Sequence, residues 1–211
     1  NGLTDNDLQM FCFDNVFFGL SESDVNKMDP PARCTLEVGY DCLFRAGWTR
    51  KKLFGTEMAC CYGTANNEFE QHQMRQLLMP MEKDTRNCVN LGCTAARLQY
   101  TFGMKGISAT IETACSSSLT AIAVMHSRIR PDQSTQMRMH TKQAKYGLGT
   151  GANGHFDPFF LIGLCGAKML SIQGRCFTFD QSGDGFVRGE GTAAMHFKVS
   201  VGEDLSRLAM L

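Results

Sequence analysis

The sequence predicts a layered α/β fold, and three observations carry that expectation. Ser108 to Thr113 alternates small, β-branched and polar residues as a strand does, and the chain after it spaces Leu119, Ile122, Ala123 and Met125 as a helix does. A long amphipathic helix follows Asp29-Pro30-Pro31, with two prolines in the first turn. Further strand patterns around Glu57 to Tyr62 and Thr192 to Val199 are separated from these by helical stretches.

In chain order, Phe11 to Gly19 is dense in aromatics and breaks at Gly19 and the polar residues 21–24. The helix after Asp29 places Leu36, Tyr40, Leu43 and Phe44 on one face. Asp29 is its expected cap and Gly47 its stop. Lys51 to Gly63 reads as a loop entering a strand that closes in a glycine turn. Glu68 to Met79 reads as a polar helix ended by Pro80, and Asn87 to Tyr100 as a helix rich in small residues. The helix after residue 115 runs to about Arg130, where Pro131 stops it. Residues 130–145 are polar and read as a solvated insertion. Tyr146 to His155 is glycine-rich, Pro158 to Leu170 reads as an apolar helix, and residues 174–191 form a turn-laden loop.

Bulk properties exclude several classes. The 211 residues suffice for one sizeable core, and 21 basic residues balance 21 acidic ones with no basic stripe, which argues against nucleic acid as a partner. No apolar run approaches the roughly 20 residues of a membrane span. Ten cysteines occur without a C-x-x-C pair, most of them inside apolar patterns such as Cys42-Leu43-Phe44. That favours buried free thiols in a reducing, intracellular compartment (cytoplasm or plastid) over zinc sites or disulfides. The chain opens on Asn1 and stops on an apolar stretch, so both ends read as cut.

Cys115 stands between the strand and the helix of the first observation, followed by Ser116, Ser117 and Ser118. Serines here are expected to cap the helix by accepting its free N–H groups. A thiol at this junction faces backbone donors and the positive end of the helix dipole, which favour a nucleophilic thiolate. Cys115 is therefore the candidate catalytic residue. The five histidines offer no partner: His126 lies about 16 Å along the same helix at 1.5 Å per residue. Asp180, Ser182, Asp184 and Gly185 imitate the start of a calcium loop. The glutamate due at position twelve falls one residue early, at Glu190. A tight glycine loop is the better reading, with Arg188 and Glu190 paired locally.

The motif Thr113-Ala114-Cys115-Ser116-Ser117-Ser118-Leu119 resembles the active-site motif of β-ketoacyl synthases of the polyketide synthase and type I fatty acid synthase kind. Phe13 to Ser21, Met28 to Pro30 with Arg33, Phe102 to Gly106, Gly151 with Asn153, Met169 to Ser171, Gly174 to Cys176 and Asp184 to Gly191 resemble other segments of that family in collinear order. The resemblance implies the N-terminal half of a thiolase-like α/β fold, so that residues 1–211 form a partial ketosynthase domain without its first strand and C-terminal half. It implies that Cys115 accepts an acyl group from an acyl carrier protein and condenses it with a malonyl-type extender. Substrates would ride on the carrier's phosphopantetheine, with no cofactor or metal bound directly, and the whole enzyme would be a homodimer. The loop at residues 174–191 would lie near the active-site entrance. The family's two histidines, in an HGTGT-like and a later GH motif, do not occur in this sequence, so the chain alone is expected to be inactive. The rival readings are a ketosynthase-like chain that only dimerises or binds a carrier, and a thiolase-fold hydrolase.

Overall fold

In the computed structural model, residues 12–65, 68, 69, 71, 72, 75, 93–129 and 144–199 are described. Two short helices, α1 (Asn15–Phe18) and α2 (Glu22–Lys27), precede the long helix α3 (Pro30–Arg45). A single turn, α4 (Arg50–Leu53), leads to strand β1 (Met58–Thr64). Helix α5 (Thr94–Phe102), strand β2 (Ser108–Ile111), helix α6 (Ser117–Ile129) and strand β3 (Tyr146–Asn153) follow. Helix α7 (Pro158–Gly166) and strand β4 (Gly191–Lys198) complete the described elements. The strands form one sheet in the order β2-β1-β3-β4. The first three are parallel, and β4 runs antiparallel to β3.

Strand β1 is buried along its whole length because helices cover both sheet faces. Its side chains alternate between two cores. Met58 and Cys60 pack with Leu36, Leu43, Leu98, Phe102 and Leu148 on one side, and Ala59 and Cys61 pack with Ala121, Met125 and Ile129 on the other. The sheet is thus the middle of three layers, as the strand–helix alternation predicts. Gln99 reaches into the first core and donates to the carbonyls of Met58 (2.9 Å) and Ile107 (3.1 Å), so its buried amide is satisfied.

Several expectations need correction. Leu36 and Leu43 of α3 are fully buried, but Phe44 is 59% exposed and only edges towards the Tyr40 ring. One residue is 100° of helix rotation, so Leu43 and Phe44 cannot share the centre of a face. Asp29 occupies the N-cap position of α3 but makes no side-chain capping bond; the prolines at the helix start leave fewer N–H groups to cap. Helix α5 continues through Thr101 and Phe102 to a left-handed cap at Gly103 (φ 63°). Of the predicted insertion over residues 130–145, all but Ala144 and Lys145 lies outside the described residues, as do the stretch 87–92 and most of the polar helix after Glu68.

The glycines account for the largest difference. Gly63 lies within β1 and makes no turn, because the Ser117–Ser118 backbone presses on it: a Cβ would come within 2.6 Å of Ser117 C and Ser118 Cα. The glycine-rich segment after Lys145, where the resemblance implies a strand end at Gly151 and Asn153, is strand β3, placed between β1 and β4. A Cβ at Gly147, Gly149 or Gly151 would stand 2.1 Å from Met125 Sδ, 3.1 Å from Ile122 Cγ1 and 2.2 Å from Ser118 Oγ respectively. All three contacts belong to α6. The alternate glycines line the seat on which that helix lies directly against the sheet.

Candidate active site

Strand β2 ends at Ile111, and the chain reaches α6 through Glu112 to Ser116. Within this elbow Ala114 has φ 53°, in the left-handed region that costs a residue with a Cβ on the order of 1–3 kcal/mol. The kink is held by its neighbours' hydroxyls. Thr113 N–H donates to Ser117 Oγ (2.8 Å), and the Ser117 hydroxyl donates to the Ala114 carbonyl (2.6 Å). The Ser116 hydroxyl donates to the Thr113 carbonyl (2.8 Å), while Ser116 Oγ lies 3.0 Å from Thr113 Oγ1. Ser116 and Ser117 therefore brace the elbow, since the kink turns the polar groups of Thr113 and Ala114 towards them. Ser117 is buried and Cys115 is exposed.

The carboxyl ends of β1, β2 and β3 meet at one end of the sheet, where ligands of open α/β sheets bind. Cys115 follows β2 there, and Gly151 near the end of β3 touches Ser118. At the same end the Asn153 amide donates to the Gly189 carbonyl (2.7 Å), fastening the loop of residues 174–190. That loop is internally braced. The Ser182 hydroxyl and N–H hold the Asp180 carboxyl below the usual carboxylate range, and the Asp184 carboxyl, lowered chiefly by the Ser171 hydroxyl, also accepts from Ile172 N–H (3.2 Å). Both carboxylates thus serve loop backbone, in keeping with the glycine-loop reading.

Arg188 does not pair with Glu190 as expected. Its guanidinium is buried and hydrogen-bonds Glu68, while Glu190 accepts from His155 N–H (2.6 Å). Glu68 was not singled out by the sequence, where it reads as one charge of a polar helix; four residues past a strand's carboxyl end is the signal it carried. Among the histidines, His126 lies on α6, His72 is half-buried, and the His155 ring nitrogen Nδ1 stands 4.0 Å from Glu190. His196 accepts from Trp48 Nε1–H (3.2 Å), and burial lowers its pKa below 6.5. His140 lies outside the described residues.

An exposed thiol on a kinked strand–helix elbow, at the carboxyl end of a mixed sheet, places this chain among layered α/β proteins with a candidate nucleophile at the sheet end. The family model described as "Beta-ketoacyl synthase, N-terminal domain" matches residues 3–199, and the chain belongs to that family. It is 33% identical over 193 residues to a highly reducing polyketide synthase of Alternaria alternata, covering 88% of this chain and 7% of that protein. It is 33% identical over 190 residues to a phenolphthiocerol/phthiocerol polyketide synthase subunit of Mycobacterium tuberculosis, covering 88% of this chain and 11% of that protein. The chain thus spans a small part of these curated relatives. Among solved structures, the ketosynthase from module 6 of the bacillaene synthase of Bacillus subtilis matches with a TM-score of 0.71 at 27% identity, over 93% of this chain and 30% of that one. An oxazolomycin ketosynthase domain from Streptomyces albus matches with a TM-score of 0.73 at 27% identity, over 87% of this chain and 30% of that one. The likeness in both sequence and structure is thus to ketosynthases of polyketide synthases. No helix among the described residues is long and apolar enough to cross a membrane.

Proposed function

We propose that Cys115 is the acyl-accepting nucleophile of a condensing transferase, and that residues 1–211 are the N-terminal portion of a larger ketosynthase domain. The observation that carries this reading is the exposed Cys115 thiol on the braced, left-handed elbow at the carboxyl end of the sheet. In the first step the Cys115 thiolate attacks the carbonyl of an acyl thioester borne on the phosphopantetheine of an acyl carrier protein. The carrier's thiolate leaves and an acyl–Cys115 thioester remains, which splits one hard condensation into two easier steps. In the second step a malonyl-type extender loses carbon dioxide, and the resulting carbanion attacks the acyl–Cys115 carbonyl and expels the thiolate. The backbone N–H of Cys115, two residues before α6 begins, would be one donor to the oxyanion formed in either step.

Helix α7 supports the larger domain. Its sequence is apolar all round, yet none of its residues is buried, and Phe159 and Ile162 are 60% and 61% exposed. Such a helix belongs under a covering layer. Further protein, including the second subunit of a homodimer, is the cover this reading assigns. The nine described cysteines are free thiols, which supports a reducing compartment.

The experiment is acyl transfer by the full-length protein from a labelled acyl carrier protein. Wild type is expected to become labelled and Cys115→Ala is expected to lose the label. Labelling that survives the substitution would place the nucleophile elsewhere.

A further inference from the structure

Glu68 is a buried carboxylate that this mechanism leaves without a role. Its side chain is 2% exposed and faces the Arg188 guanidinium, itself 9% exposed. One oxygen takes the Arg188 hydrogen bond; the other accepts the N–H groups of Phe156 and Asp157, both at 3.1 Å. Asp157, fully buried, accepts from Phe159 N–H (3.0 Å) as the N-cap of α7 and pairs with Arg75. The two arginines lie over neighbouring rings of the same helix, Arg188 over Phe160 at 4.8 Å and Arg75 over Phe159 at 4.4 Å. A single carboxylate therefore ties together the chain after β1, the turn into α7 and the 174–190 loop.

The place of this tie gives it meaning. Glu68 follows the carboxyl end of β1 by four residues and Asp157 that of β3 by four, while Arg188 stands three residues before the first residue of β4, Gly191, which pairs with Asn153. All three stand at the end of the sheet that presents Cys115. Contact runs onward from there: Asn153 holds Gly189, and Gly151, two residues earlier, abuts Ser118 of the α6 first turn. Hydrogen bonds to ionised partners inside a protein are short and directional, so the charge on Glu68 fixes a position as well as neutralising Arg188.

We propose that Glu68 is a positioning residue that acts through Arg188, holding the 174–190 loop where an incoming thioester is seated against Cys115. This rests on the condensing reading of Cys115. Glu68→Gln keeps the shape and an acceptor for the two N–H groups but removes the charge that Arg188 meets. Removing a contact that seats substrate equally in ground and transition states raises KM and spares kcat.

The test uses the full-length protein, loading of Cys115 from an acyl thioester of N-acetylcysteamine, and alkylation of Cys115 by iodoacetamide as a measure of the elbow itself. Glu68→Gln and Arg188→Met are each expected to raise KM for loading by about tenfold or more, with kcat and the alkylation rate within about threefold of wild type. The double variant is expected to be no worse than either single one, and Arg188→Lys to recover most of the affinity. Wild-type KM in Glu68→Gln overturns the proposal. So does a joint fall of kcat, loading and alkylation, which would mean that Glu68 supports the fold alone. Should Glu68→Gln not fold, Arg188→Met decides by the same criteria. A wild-type protein that takes no acyl group overturns the condensing reading and this inference with it, whereas loading unaffected by the variants overturns only the inference.

Discussion

Ser118 and Gly151 share one volume: a Cβ on Gly151 would stand 2.2 Å from Ser118 Oγ and 2.9 Å from its Cβ. The first turn of α6, and with it the elbow that carries Cys115, rests on β3 because residue 151 has no side chain. At Gly63 the obstruction is backbone, which cannot swing aside, whereas at Gly147 it is the end of the flexible Met125 side chain. Gly63→Ala and Gly151→Ala are expected to destabilise the protein by about 1–3 kcal/mol or more, and Gly147→Ala by less. Urea denaturation gives the ranking, and iodoacetamide labelling of Cys115 should slow or quicken in the first two variants. A Gly63→Ala protein as stable as wild type would contradict the packing described.

The face of α3 can be tested by comparing neighbours. Leu43 is fully buried and Phe44 is 59% exposed. Leu43→Ala is expected to cost about 2–5 kcal/mol through lost burial and the cavity left behind. Phe44→Ala is expected to stay near 0.5 kcal/mol, the range of surface substitutions. Equal losses in thermal denaturation would mean that the helix is rotated from the orientation seen here.

His196 introduces a dependence on pH. It packs against Trp48 and Tyr146, with ring centroids 6.1 and 6.2 Å away, and those two rings also meet each other at 4.8 Å; burial first, and the charge of Lys198 second, depress the His196 pKa below 6.5. The unfolded chain then binds this proton more readily than the folded one. The neutral ring's contribution is fully present above about pH 6.5 and is lost as pH falls towards the depressed folded value. Trp48 is the sole tryptophan, so its fluorescence reads the contact directly. Thermal stability is expected to fall on acidification below pH 6.5, and His196→Gln to flatten that part of the profile. An unchanged profile in the variant would assign the acid sensitivity to other groups.

The cysteines divide by burial. Desolvation pushes Cys60 up to about 12 and Cys61 up to about 11, and both lie in β1 under helices. At pH 8 a thiol reagent is expected to modify the exposed Cys115 and Cys176 in the native protein, and to reach Cys60 and Cys61 only after denaturation. Mass mapping of the labelled peptides checks this. Native labelling of Cys60 would show that β1 opens.

Local patterns and motif order were enough to predict the α/β class, helix α3 with its two starting prolines, the strand that ends in the elbow, and Cys115 as the residue to test. Each depends on near neighbours in the chain: proline geometry, side-chain periodicity and the change from period two to period 3.6. What distant segments do to one another was decided only by the tertiary structure. Glycine propensity speaks against a strand at Tyr146–Asn153, yet the close seat of α6 on the sheet demands glycine there. Arg188 has a carboxylate two residues away at Glu190 but takes Glu68, 120 residues distant. Burial removes water from both charges, and the partner enclosed with Arg188 prevails over the one exposed beside it.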